Sequence, residues 1–205
     1  MNREEIEHVI RAAGGVLDED QVIVVGSQAI LAEFPDDLPR AVLLSREVDV
    51  MATDDPTGEK ALLINGAIGE DTLFDNTFGV FAEGVERGLC QFPPGWEERT
   101  IELKTPATGE VTGLCPEIHD IAVAKLLAGR DKDFEWTRTL LQSGHLKPTV
   151  LLERLAATEM RSDQRAHIVG IVRAAAAPGK HNKNRREVRR LLSLLDQQSP
   201  ESSEG

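Results

Sequence analysis

A chain of 205 residues, 40% hydrophobic and 28% charged, carries enough apolar material for one large or two small domains and is neither fibrous nor low-complexity. Its net charge of −12 excludes a broad affinity for nucleic acid, and with no apolar run long enough for a bilayer no membrane partner is expected. Two cysteines (Cys90 and Cys115), no hydrophobic leader, no C-x-x-C and no clustered histidines point to a reducing, cytoplasmic setting without structural zinc.

In chain order, "MNREEIEHVIRAAGG" predicts a helix with Asn2 as N-cap and Glu5 in capping-box spacing. Its apolar face is Ile6, Val9, Ile10 and Ala13, and Gly14-Gly15 is expected to end it. "QVIVV" (21–25) is a continuous apolar run and reads as a buried strand. Gly26-Ser27 then opens a short helix, "QAILAEF", which Pro35 closes. After a loop over 35–44 comes "SREVDVM" (45–51). The β-branched Val48 and Val50 favour a strand. At period two, Glu47, Asp49 and Met51 then share one face and the valines the other.

"GEKALLINGAIG" (58–69) reads as a helix weakened by its glycines, and "FGVFAEGV" (78–85) and "RTIEL" (99–103) as strands separated by the turn "PPGW". From Pro116 onward the period changes to helical, with four helices expected over 116–130, 132–144, 147–159 and 162–177. The layout is an α/β half over 1–114, a helical half over 115–197 and a disordered tail over 198–205.

Two carboxylates on one strand face repel unless something cationic lies between them. Glu47 and Asp49 are therefore either a solvated face or ligands of a divalent metal. A strand running into Gly-Ser and then a helix is a common turn; it also suits a phosphate, since Gly permits close approach of a ligand and helix N-terminal N–H groups attract anions. Taken together, "VVGSQAI" followed by "EVDV" resembles the nucleotidyltransferase fold of the DNA polymerase β superfamily.

That resemblance implies a mixed sheet flanked by helices, an α/β (α+β) architecture, followed by a C-terminal helical bundle. It assigns Gly26 and Ser27 to the phosphates of an NTP, and Glu47 and Asp49 to Mg²⁺ or Mn²⁺. A third metal-binding acid on a later strand is implied as well. Glu102 in "TIEL", between Ile101 and Leu103, fits that pattern, and equally fits a strand glutamate facing solvent.

In the helical half, Ile118, Ile121, Ala122 and Lys125 fall on one helical stripe. A lysine there must find a partner or snorkel to water; the functional alternative is that it meets a phosphate or the metal-binding acids. "AVAKLLAGRDKDFE" is similar to a segment of the bacterial nucleotidyltransferases related to the AbiEii and MenT-type toxins, as is "PPGWEERTIEL". On that similarity Lys125 and Arg130 contact the nucleotide and Asp133 joins the site, although Asp133 also suits an i, i+3 partner of Arg130. Trp136 stands where relatives often place another acid.

The expected activity is Mg²⁺-dependent transfer of an NMP, or of several nucleotides, from an NTP to an acceptor. The toxin resemblance brings in an antitoxin protein as a partner. The basic segment 180–190, with six Lys or Arg and one Glu, would suit an RNA or tRNA acceptor. The alternative is a catalytically inactive nucleotidyltransferase-like domain that binds a nucleotide or a protein.

Overall fold

The computed structural model describes residues 1–175 and, beyond them, Arg186, Arg189, Arg190 and Ser193. The expected tail 198–205 and most of the basic segment 180–190 lie outside the described residues. The chain forms two compact units, one made of Met1–Cys90 and Gly95–Ile121, the other of Gln91–Pro94 and the chain from Ala122 onward. The expected change at residue 114 thus meets a division seven residues later.

The first unit begins with helix α1 (Arg3–Leu17). The Asn2 side chain accepts from the Glu5 N–H, and the Glu5 carboxylate accepts from the Asn2 N–H. These two bonds satisfy donors that a helix start would otherwise leave open. Ile6, Val9, Ile10 and Ala13 are buried. Gly14-Gly15 does not stop the helix, which ends at Asp18 in the left-handed conformation. Gly14 instead lies where a Cβ would strike Val111 and the Glu19 carbonyl, so its missing side chain serves packing rather than termination.

The sheet has five strands: β1 (Gln21–Val24), β2 (Glu47–Ala52), β3 (Phe81–Gly84), β4 (Ile101–Leu103) and β5 (Thr112–Cys115), in the order β3-β2-β1-β5-β4. β1 runs antiparallel to β2 and parallel to β5; β2 runs parallel to β3, and β4 antiparallel to β5. This is the mixed sheet flanked by helices that the sequence led us to expect. The segment "QAILAEF" differs in detail, folding as a 3-10 helix over Ser27–Ala32.

Between β2 and β3 the chain crosses through α2 (Glu59–Ile68) and α3 (Leu73–Phe78). A Cβ on Gly113 would meet Ile10 of α1, and one on Gly84 would meet the backbone of Ala61 in α2. Gly113 pairs with Val22, Val22 with Ala52, and Gly84 with Val50. One face of the sheet therefore presents valine, alanine and glycine to α1 and α2. Period two leaves Glu47, Asp49 and Met51 on the opposite face.

β5 has no counterpart in the sequence reading. Its four residues include Gly113, a poor strand former chosen here because Ile10 leaves no room for a side chain. Its last residue, Cys115, is fully buried, and burial pushes its thiol up to about 12. The thiolate is the reactive form. We therefore expect iodoacetamide at pH 8 to modify the half-buried Cys90 in the native protein and to reach Cys115 only after denaturation. Two modified thiols per native chain in the mass spectrum would contradict this.

In the second unit, α5 (Asp131–Ser143) packs on α7 (Ser162–Ala175), with α6 (Pro148–Ala156) between them in sequence. Leu140, Leu141, Leu146, Leu151, Leu155 and Ile168 form its apolar interior. The stray segment Gln91–Pro94 joins it through the Gln91 amide, which donates to the Glu159 carbonyl at 2.8 Å. α4 (Ile118–Ala128) starts in the first unit, where its Asp120 is fully buried and bonded twice by Arg99, at 2.9 and 3.0 Å. Among the described residues no helix is long and apolar enough to cross a membrane.

Candidate metal and nucleotide site

The Ser45 hydroxyl accepts from the Glu47 N–H at 3.1 Å, setting the start of β2. Val48 and Val50 bury the helix-facing side of the strand, while Glu47 and Asp49 are half-buried on the other. In the parallel register of β2 and β3, Glu47 faces Phe81 and Asp49 faces Glu83. Glu47, Asp49 and Glu83 each offer a carboxylate oxygen, and those oxygens lie within 4.8 Å of one another.

Gly26 closes this group from the side. The backbone N–H of Val25 donates to the Asp49 carbonyl at 3.0 Å, so the turn after β1 is tied to β2 at the acid itself. A Cβ on Gly26 would overlap the Asp49 carboxylate. The glycine is needed here for close approach, since its φ of −84° is open to any residue. Ser27 follows as the first residue of the 3-10 helix, half-buried.

Three carboxylates with no nitrogen or sulfur donor among them are the donor set of a hard cation such as Mg²⁺ or Mn²⁺. Their close spacing on adjacent strands, with the Asp49 carboxylate seated on a glycine, fits such an ion. The sequence reading had named two of these acids and looked for the third in Glu102. The structure does not bring Glu102 to the group: it is exposed on β4, and the strand order places β4 three strands from β2, about 14 Å at the usual strand spacing. Glu83 takes the neighbouring place. Its only signal in the sequence was its position in "FAEG", with Phe81 at period two before it.

Lys125, Arg130 and Asp133 belong together in the second unit. Asp133 is fully buried; it accepts from the Lys125 ammonium at 2.8 Å and from the Arg130 guanidinium at 2.9 Å. Lys125 is 8% exposed and lies 5.1 Å from the centre of the Trp136 ring, so it turns inward rather than snorkelling. Burial would raise the Asp133 carboxyl, but the Lys125 and Arg130 charges outweigh it and hold the group below its usual range. Asp133 is thus the i, i+3 partner of Arg130 that the spacing allowed, and it binds Lys125 as well, a pairing the sequence reading did not name.

A family described as "Nucleotidyltransferase of unknown function (DUF6036)" matches residues 4–173. The chain belongs to that family. The match takes in every described strand and the acids of the site, and it supports the nucleotidyltransferase superfamily as the wider class. The narrower likeness to AbiEii and MenT-type toxins is not part of what DUF6036 membership shows. No curated protein and no solved structure matches the chain.

Proposed function

We propose that this member of DUF6036 is a nucleotidyltransferase that uses Mg²⁺ or Mn²⁺ and an NTP. The observation that carries the reading is the triad of Glu47, Asp49 and Glu83 beside the Gly26-Ser27 turn. The three carboxylates would hold the cation, and the glycine backbone and Ser27 hydroxyl would meet the β- and γ-phosphates. A divalent cation bound there supplies charge neutralisation for the phosphates and for the departing pyrophosphate.

In the transfer, an acceptor hydroxyl oxygen bonds to the α-phosphorus. The bond from that phosphorus to the bridging oxygen breaks, pyrophosphate leaves with the electron pair, and the hydroxyl proton passes to solvent. The protein's part is positioning and electrostatics. The basic segment 180–190 is what speaks for an RNA acceptor, while an antitoxin partner and a toxin role rest on the likeness to the AbiEii and MenT-type relatives.

Thermal unfolding with Mg²⁺ and each NTP tests the proposal, because a ligand that binds only the folded state raises its midpoint. We expect a metal-dependent rise with at least one NTP, absent in Glu47→Gln/Asp49→Asn. Binding without release of pyrophosphate over a panel of RNA and protein acceptors would favour the inactive, nucleotide-binding alternative. No rise with any nucleotide would sink both.

A further inference from the structure

The residue after Ser27 is a polar side chain sealed in an apolar place. Gln28 is 1% exposed and is followed by Ala29, Ile30 and Leu31, each also 1% exposed. Among the described residues, neither its amide nitrogen nor its amide oxygen has a hydrogen-bond partner. The great majority of buried polar atoms are satisfied, and leaving both ends of an amide open forfeits the bonds each made to water. Methionine or leucine would fill the same space with no such loss.

The open amide lies close in sequence to the Gly26 turn. Gln28 lies two residues after Gly26, on the short helix that packs against β2. The turn that seats the Asp49 carboxylate therefore also carries the open amide. An amide with a donor and an acceptor both free is complementary to a group that gives and takes hydrogen bonds at once, which describes a hydroxyl and not a bare phosphate oxygen.

Resting on the nucleotide-site reading above, we propose that Gln28 is a binding residue of this site whose amide pairs with a hydroxyl group of the metal–nucleotide complex. Two hydroxyl sources have this chemistry: a water retained by the cation, which Mg²⁺ keeps readily, and a sugar hydroxyl of the NTP.

The test compares Gln28→Met and Gln28→Leu with wild type in the full chain. Without ligand, the unfolding midpoint should hold or rise by about 2–4 °C, as expected when an unsatisfied group is removed from a protein this size. Calorimetric titration with Mn²⁺ alone, Mn²⁺ plus tripolyphosphate and Mn²⁺ plus each NTP should then show binding weakened about tenfold or more. A loss already present with Mn²⁺ or tripolyphosphate assigns the group to coordinated water, and a loss confined to the nucleotides assigns it to the sugar. Wild-type affinity in both variants overturns the inference, as does a midpoint lowered by several degrees or a failure to fold in both, since either would mean that the amide is satisfied within the fold. Wild-type protein that binds none of these ligands would instead refute the nucleotide reading itself.

Discussion

If the proposed site is correct, Gly26→Ala should leave a folded protein whose metal and nucleotide binding is weakened about 100-fold. Alanine accepts the backbone conformation at φ −84° and ψ −162°, so the turn itself is not strained. The new methyl group, however, falls on the Asp49 carboxylate and close to the Asp49 Cβ. Either that carboxylate rotates out of the group it forms with Glu47 and Glu83, or the turn moves off β2 and breaks the bond from Val25 to the Asp49 carbonyl.

Overpacking of this kind costs roughly 1–3 kcal/mol in stability, which the chain should survive. Displacing a binding group by about 1 Å can cost about 100-fold, so the larger effect falls on the site. The measurement is a calorimetric Mn²⁺ titration with and without NTP, alongside the unfolding midpoint. Affinity equal to wild type in a folded Gly26→Ala protein would show that the position of Asp49 does not depend on the glycine.

Asp133→Ala should strongly destabilise the second unit. It removes the carboxylate that the Lys125 ammonium and Arg130 guanidinium share, inside a region where Asp133 is fully buried and Lys125 nearly so. Removing one member of a buried pair leaves the other charge without that compensation and costs about 3 kcal/mol, or about 6–12 °C in the unfolding midpoint for a chain this size. Lys125→Met/Asp133→Leu should recover most of the loss, because it takes out both charges and keeps apolar volume. A loss below about 1 kcal/mol for Asp133→Ala would place the pair among weak surface bridges.

The same pair fixes a pH dependence. The Asp133 carboxyl is held lower in the folded state than in the unfolded one. Its contribution is therefore complete above the ordinary aspartate range, about pH 4, and is lost as pH falls through the depressed folded value. Urea unfolding from pH 7 to pH 3 should show a shallower acid limb for Asp133→Asn than for wild type.

Much of this was legible in local sequence because the causes are local. The capping box of Asn2 and Glu5 needs only residues three apart, and it formed. The alternation of "EVDV" needs only period two, and it put Val48 and Val50 on one face and the two acids on the other. Glycine at residue 26 pointed to close approach of a ligand, whereas the group that the fold sets against it is a side chain of the protein. What the glycine approaches, the Asp49 carboxylate, came from a strand more than twenty residues away.

The partners of these residues were decided by the fold. Glu83 and Glu102 are both acids on short strands, and nothing within either stretch ranks one above the other. The parallel crossover through α2 and α3 sets β3 beside β2 and so brings Glu83 to Asp49, while the strand order removes Glu102 to the opposite edge. Likewise Lys125 lay on an apolar stripe in the sequence, but the turn between α4 and α5 had to bring Asp133 to its ammonium. Side-chain periodicity is written within a few residues; strand neighbours and buried pairs come from chain reversals, whose outcome depends on what the whole core can bury.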